Sequence, residues 1–318
     1  MSKRFSVLAF AALLTPVFAQ QNQNASLQVL PVQGSVYIIA GAGGNIAVQV
    51  GQEGVMVVDT GLANMSDKVI AEIRKLSDKP LQYILNTHFH PDHTGGNDAL
   101  RKAGVTITGA NVAGNLTDAS VGAQIYAQDN VLKRMSAPTG SQAPTPFGAW
   151  PTETYIAGHK DFFFNEEPVQ MLHQPAAHTD GDSFVWFRKS DVLVTGDIFT
   201  TTSFPYIDVE HGGSIQGEID ALNNIIDITV PKHEEEGGTY VIPGHGRICD
   251  EWEVVEYRDM VTIIRDRVQA AIKDGKTLAQ IKEANFTHDY DARYNSKTGF
   301  GTADQFIEAI YKSLTAKK

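Results

Sequence analysis

Four side chains able to bind a metal ion fall within six residues of this chain, in the run His88-Phe89-His90-Pro91-Asp92-His93. The run follows the apolar stretch 81–85, which reads as a strand, and precedes Thr94-Gly95-Gly96-Asn97, which reads as a turn. A loop at a strand end can aim four such side chains at two neighbouring points, which the fixed period of a helix or a strand could not. Solitary histidines are usually surface or core residues. Three of them with an aspartate at this spacing call for a metal. Imidazole and carboxylate are the donor set that zinc favours, with iron or manganese as substitutes.

A fold that uses this loop must bring further ligands to it, and three candidates stand at the ends of other expected strands. His178 follows the stretch 169–173 in Gln174-Pro-Ala-Ala-His-Thr-Asp-Gly-Asp182. Asp197 ends 192–195 in Val194-Thr-Gly-Asp, and His245 ends 240–242 in Ile242-Pro-Gly-His-Gly. Nearby glycines let the backbone turn tightly beside an ion. The other histidines, at 159, 173, 211, 233 and 288, lack such a setting.

The remaining pattern bounds the fold. From Val29 to Asp59 three apolar stretches alternate between glycines and read as successive strands. Residues 66–77 place Val69, Ile70, Ile73 and Leu76 on one helical face, with Ser66 or Asp67 as the cap. A short helix is expected over 98–103 and a strand over 105–108. Between Ala110 and Pro151 the composition turns to Ala, Asn, Ser, Thr and Pro, which suggests a helix and then a long irregular loop. Strands resume around Tyr155, 162–164, 169–173, 184–188 and 192–195, and helices are expected over 215–229, 251–273 and 302–315. Two blocks of strands, each followed by helices, argue for an α/β sandwich rather than a doubly wound parallel sheet.

Lys3 and Arg4, the apolar run 5–14, the break at Thr15-Pro16 and the small residues before Gln20 read as a signal peptide over 1–19. Residues 20–318 then form a single domain with C-terminal helices, periplasmic or secreted, with no membrane association once the signal is gone. The net charge of −11 becomes −13 when Lys3 and Arg4 are removed. So acidic a surface repels phosphate backbones, which disfavours nucleic acid and leaves a small molecule as the expected partner. Cys249 is the single cysteine, so export brings no disulfide framework, and it reads as a small buried residue.

His-x-His-x-Asp-His, then a lone His, a Gly-Asp and a Gly-His, resembles the metallo-β-lactamase superfamily over about residues 34–247, and Val58-Asp59-Thr60-Gly61 is similar to its first motif. The resemblance implies the metallo-β-lactamase αββα sandwich, an α/β fold. It implies that His88, His90 and His178 hold one metal and Asp92, His93 and His245 a second, with Asp197 bridging and Asp59 orienting the ligand loop from behind. It further implies two Zn2+, a hydroxide bridging them as nucleophile, and Asp92 as the residue that holds the water and takes its proton.

Such a site serves many substrates. An aspartate at 197 resembles the glyoxalase II-like and lactonase-like branches, where one subclass of zinc β-lactamase has cysteine, and Thr200 stands where such an enzyme carries lysine. The expectation is hydrolysis of an ester, lactone, thioester or amide bond of a small molecule, with promiscuous β-lactam hydrolysis open. A mononuclear non-haem iron dioxygenase acting on thiol adducts and a non-catalytic metal-binding protein are the alternatives. Asp182 has two readings, support for His178 or a turn aspartate bonding its own backbone. Phe199, Phe204, Tyr206 and His211 follow Asp197 on a Gly- and Pro-containing loop and are the expected walls of a substrate pocket, with Tyr206 as a hydrogen-bond donor to an oxyanion.

Overall fold

Alternate residues along the central strands are buried on opposite faces, because each strand is covered on both sides. The computed structural model describes residues 26–106, 122–138, 145–233, 237–296 and 299–316. The expected signal peptide lies outside the described residues, as do much of the helix expected after Ala110 and the second half of the strand expected over 105–108.

The first sheet begins with β1 (Gln28–Gln33), β2 (Val36–Ala40), β3 (Ile46–Val50) and β4 (Val55–Val58), all antiparallel. After helix α1 (Ser66–Leu76) the chain returns as β5 (Leu81–Leu85), parallel to β4. A single helical turn, α2 (Pro91–Thr94), and α3 (Asn97–Ala103) follow. Next come β6 (Gln124–Gln128), α4 (Asp129–Ser136) and β7 (Glu153–Tyr155), with β5, β6 and β7 parallel. The second sheet holds β8 (His159–Phe164), β9 (Glu167–His173), β10 (Ser183–Phe187) and β11 (Val192–Val194). Helix α5 (Ile215–Ile228) then leads to β12 (Tyr240–Ile242), and α6 (Glu251–Lys273), α7 (Leu278–Glu283), α8 (Asp291–Tyr294) and α9 (Ala303–Thr315) end the chain. The strand orders are β1 to β7 in sequence, and β12-β11-β10-β9-β8.

Val36, Ile38, Met56 and Val58 meet Val169, Met171, Val185, Phe187 and Val194 between the sheets. Their neighbours Ile39, Val55 and Val57 turn outward onto Val69, Ile73 and Leu100 of α1 and α3. On the far side Phe184, Leu193 and Val241 pack on Leu222, Ile225, Met260, Ile264 and Phe306 of α5, α6 and α9. The order of layers is therefore helix, sheet, sheet, helix. Each such fully buried side chain contributes about 1.5–3 kcal/mol of transfer free energy.

One stretch departs from the sequence reading. The region read as irregular contains β6 and then α4. Gln124-Ile-Tyr-Ala-Gln offers only two apolar core residues, Ile125 and Ala127, between polar ends, and its pairing with β5 and β7 supplies what the short pattern lacks. Val105 donates its N–H to the Leu81 carbonyl, which is the described part of the strand expected there.

Candidate metal centre

Strands β4 and β5 run parallel in the first sheet, and β9, β11 and β12 share one direction in the second. Their C-terminal ends release Asp59, the run from His88, the loop to His178, Asp197 and His245 into one cluster. Among the described residues, His88, His90, His178 and Asp197 form one group of potential metal ligands and Asp92, His93, Asp197 and His245 another, each with ligand atoms within 4.8 Å of one another.

Hydrogen bonds to the back of four of the five rings fix which nitrogen faces the cluster, and His245 turns its Nε2 toward Asp92 and Asp197. Asp59, at φ +63°, accepts from Thr87 N–H at 2.8 Å, from the Thr87 hydroxyl at 2.7 Å and from His93 Nδ1 at 2.8 Å. With its proton given to Asp59, the Thr87 hydroxyl is left to accept from His88 Nδ1, 3.0 Å away. His178 Nδ1 donates to the Tyr206 carbonyl. His90 is reversed: its Nε2 donates to Asp208 Oδ2 at 3.0 Å, so its Nδ1 faces His178 Nε2 at 2.9 Å. The inward nitrogens are therefore Nε2 of His88, His93, His178 and His245 and Nδ1 of His90.

The two oxygens of Asp197 divide between the groups. Oδ2 lies 3.9 Å from both His88 Nε2 and His178 Nε2, whereas Oδ1 lies 3.0 Å from His93 Nε2 and 3.4 Å from His245 Nε2. Asp92 Oδ2 completes the second group, 3.2 Å from His245 Nε2 and 3.7 Å from His93 Nε2. His88 Nε2, His93 Nε2 and Asp197 Oδ1 are buried with no hydrogen-bond partner. Orphaned buried donor atoms converging on two points fit two divalent ions. The backbone leaves the space: a Cβ on Gly44 would stand 2.3 Å from His93 Cε1, and one on Gly244 2.0 Å from Asp197 Oδ1.

Electrostatics separates the groups. Burial, reinforced by His93, holds the His88 imidazole well below its ordinary pKa, and burial with His90 takes His178 to about 4. Burial is the largest influence on His93 and His245 and opposes their charge, but the carboxylates together outweigh it: Asp197, Asp92 and Asp59 raise His93 well above the ordinary value, and Asp197 with Asp92 raises His245 to about 9. Burial pushes the aspartates up, yet His93 and His245 bring Asp92 to about 2 and Asp197 well below the usual range.

The structure brings the seven ligand candidates together with Asp59 behind them; the pocket residues fare differently. Phe199 and Phe204 are buried in the core, Phe199 edge-on to Tyr257 and Phe204 stacked on Phe306, so neither lines a pocket. The chain after Asp197 dives beneath the site, and α6 and α9 cover both rings. Tyr206 stays at the site, its ring 6.0 Å from that of His90 and 5.8 Å from that of His178. His211 stands beside it, 2.7 Å from Asp208 Oδ2 through Nδ1 and edge-on to Phe89. Asp182 accepts from the Thr179 N–H and hydroxyl, so it closes its own turn, and the His178 ring is held by Tyr206 instead.

Two supports were not legible in the sequence. Asp208 holds His90 and His211 at once, and burial, which raises its pKa, is outweighed by His90 and then His211, leaving it at about 2. Asn45 donates to the carbonyls of Pro243 and Gly246, at 2.9 and 3.0 Å, pinning the loop on both sides of His245. Neither residue sits in a local pattern; both act across more than a hundred residues of chain.

An αββα sandwich with two histidine–carboxylate groups at one edge defines the class. The chain belongs to the metallo-β-lactamase superfamily, whose sequence profile matches residues 31–245. It is 26% identical over 299 residues to a linear primary-alkylsulfatase of Pseudomonas sp. (strain ATCC 19151), covering 82% of this chain and 53% of that one. The crystal structure of the stereoselective inverting sec-alkylsulfatase Pisa1 from Pseudomonas sp. matches with a TM-score of 0.61 at 15% identity, over 90% of this chain and 50% of that chain. The DIM-1 metallo-β-lactamase matches with a TM-score of 0.55 at 17% identity, over 75% and 98%. At these identities the structures share the fold, and the chain spans about half the length of the alkylsulfatases it resembles.

Proposed function

We propose that this protein is an exported two-metal hydrolase that cleaves an ester bond, sulfuric or carboxylic, in a small molecule. The observation that carries the reading is the division of Asp197 between two ligand groups, one oxygen toward each. Zinc suits five imidazoles and two carboxylates best, with iron or manganese as substitutes. When bound, such a pair of ions polarises the scissile group and lowers the pKa of water toward neutrality.

The chain's own residues supply the rest. Asp92, ionised from a pKa of about 2 upward and partly open to solvent, is the proton acceptor at the mouth of the second group. Tyr206 keeps its phenol proton up to about 12, through burial first and then Asp208 and Glu210, and serves as a donor to charge developing on the substrate. With two divalent ions bound, five neutral imidazoles, two carboxylates and the hydroxide would leave the centre with a net single positive charge. That charge favours a substrate with a negative group at the bond to be cut. A sulfate ester has one, and the names of the alkylsulfatase relatives support the same class.

The test is a screen of the zinc-reconstituted protein with an alkyl sulfate, a carboxylic ester, a lactone, a thioester and a cephalosporin. The expected result is turnover of a sulfuric or carboxylic ester that a chelator abolishes and zinc restores. A single bound iron with oxygen consumption on a thiol adduct would replace this reading with a dioxygenase, and no chelator-sensitive turnover would leave a metal-binding protein. Asp197→Ala should lower the bound zinc by at least one equivalent and remove most turnover; full turnover in that variant refutes the bridging role.

A further inference from the structure

The wall beside the first ligand group is completed by a residue beyond the superfamily match, which ends at residue 245. Phe300, on the segment between α8 and α9, is 64% exposed, and its ring lies 4.8 Å from that of Tyr206. Tyr206 in turn lies against His178 and His90, so an unbroken aromatic row runs from the ligands to solvent. Residues 299–303 are held by close contacts and hydrogen bonds. Gly301, at φ +75°, sits so close to the Tyr206 loop that a Cβ would stand 2.5 Å from the Phe204 carbonyl and from Ser203 Oγ. Ala303 N–H donates to Asn295 Oδ1 at 3.1 Å, and Gln305 Nε2 to the Gly299 carbonyl at 3.3 Å. Across the ligands, the ring of Phe89 lies 4.5 Å from that of His90 and 5.1 Å from that of His211.

A lone exposed phenylalanine means little. Here the exposed ring is the outer end of a row that begins at metal ligands. We infer that Phe300, with Tyr206, is a specificity-determining residue that receives the apolar portion of the ester while its polar bond lies at the ligand groups. The inference rests on the hydrolase reading above and adds the chemical class of the group beyond the scissile bond, a linear or aromatic hydrocarbon. It also gives the C-terminal helical segment a part in recognition. Each methylene laid against a half-open wall should tighten binding about two- to fourfold.

The test uses the zinc-loaded full chain and reads binding separately from turnover. Calorimetry with methyl-, butyl- and octylphosphonate should show affinity rising with chain length in the wild type. In Phe300→Ala the ratio of octyl to methyl affinity should fall about tenfold. The ratio of kcat/KM for p-nitrophenyl octanoate to that for the acetate should fall with it, chiefly through KM. Phe163→Ala, an exposed aromatic on β8 at 71% exposure, should keep both ratios. Equal ratios in Phe300→Ala and wild type, or a wild type blind to chain length, overturn the inference. Chain-length-dependent binding with no ester turned over would instead refute the hydrolase reading and leave the wall.

Discussion

Asp59→Asn tests the wiring behind the metal centre with the least disturbance of shape. The Asp59 carboxylate is 1% exposed and accepts three hydrogen bonds, at 2.8, 2.7 and 2.8 Å. Asparagine has the same outline and tolerates the positive φ. Its amide, however, presents one acceptor and one donor where the carboxylate presents two acceptors. If the amide oxygen keeps Thr87 N–H, the NH2 faces His93 Nδ1 and favours the tautomer with the proton on Nε2, the atom needed for a metal. The same NH2 turns the Thr87 hydroxyl toward His88 Nδ1 and favours that tautomer there too. If the amide flips, Thr87 N–H is left buried without a partner, at about 1–3 kcal/mol. Either way the variant should fold, with circular dichroism close to wild type, and bind zinc about 10- to 100-fold more weakly in competition with a chromophoric chelator. Zinc affinity within about twofold of wild type would refute the claim that Asp59 sets these tautomers.

Gly44→Ala places a methyl 2.3 Å from His93 Cε1. The substitution should cost about 1–3 kcal/mol and reduce bound zinc from two equivalents toward one, because His93 belongs to one group only; two retained equivalents would mean the loop yields freely. Glu218 on α5 is fully buried with both carboxylate oxygens unpartnered, and burial, then Asp182 and Asp197, raise its pKa well above the ordinary 4.5. A carboxyl raised in the fold keeps its proton there and loses it on unfolding, so its contribution to stability falls as pH rises from 4.5 toward the folded value. Glu218→Gln removes that titration, and the thermal midpoint of the chelated protein should decline less steeply than wild type between about pH 5 and 8. Parallel slopes would mean that Glu218 is ionised in the fold.

The candidate ligands stand out in the sequence because their constraint is local and chemical. Four donors in six residues have few other uses, and His178, Asp197 and His245 each stand just past an apolar strand in a setting with glycine. The layered fold was legible for a related reason, since strands buried on both faces and amphipathic helices leave periodic traces. What supports and covers the site leaves no such trace. Asp208 lies between Ile207 and Val209 in an unremarkable loop, and only the folded chain puts it against His90. Phe199 and Phe204 follow Asp197 in sequence but turn into the core, whereas Phe300, more than a hundred residues later, stands exposed against Tyr206. Proximity in sequence was a poor guide to pocket walls, because loops leave a site in any direction.

In the proposed site these seven residues hold two ions with Asp197 between them. A crystal structure of the zinc-reconstituted protein, with anomalous differences collected at the zinc edge, tests it most directly. The expected map has two peaks about 3.5–4 Å apart. One should lie against His88, His90 and His178, the other against Asp92, His93 and His245, and Asp197 should touch both. A single peak, or two peaks with Asp197 bound to neither or only one, would contradict the account.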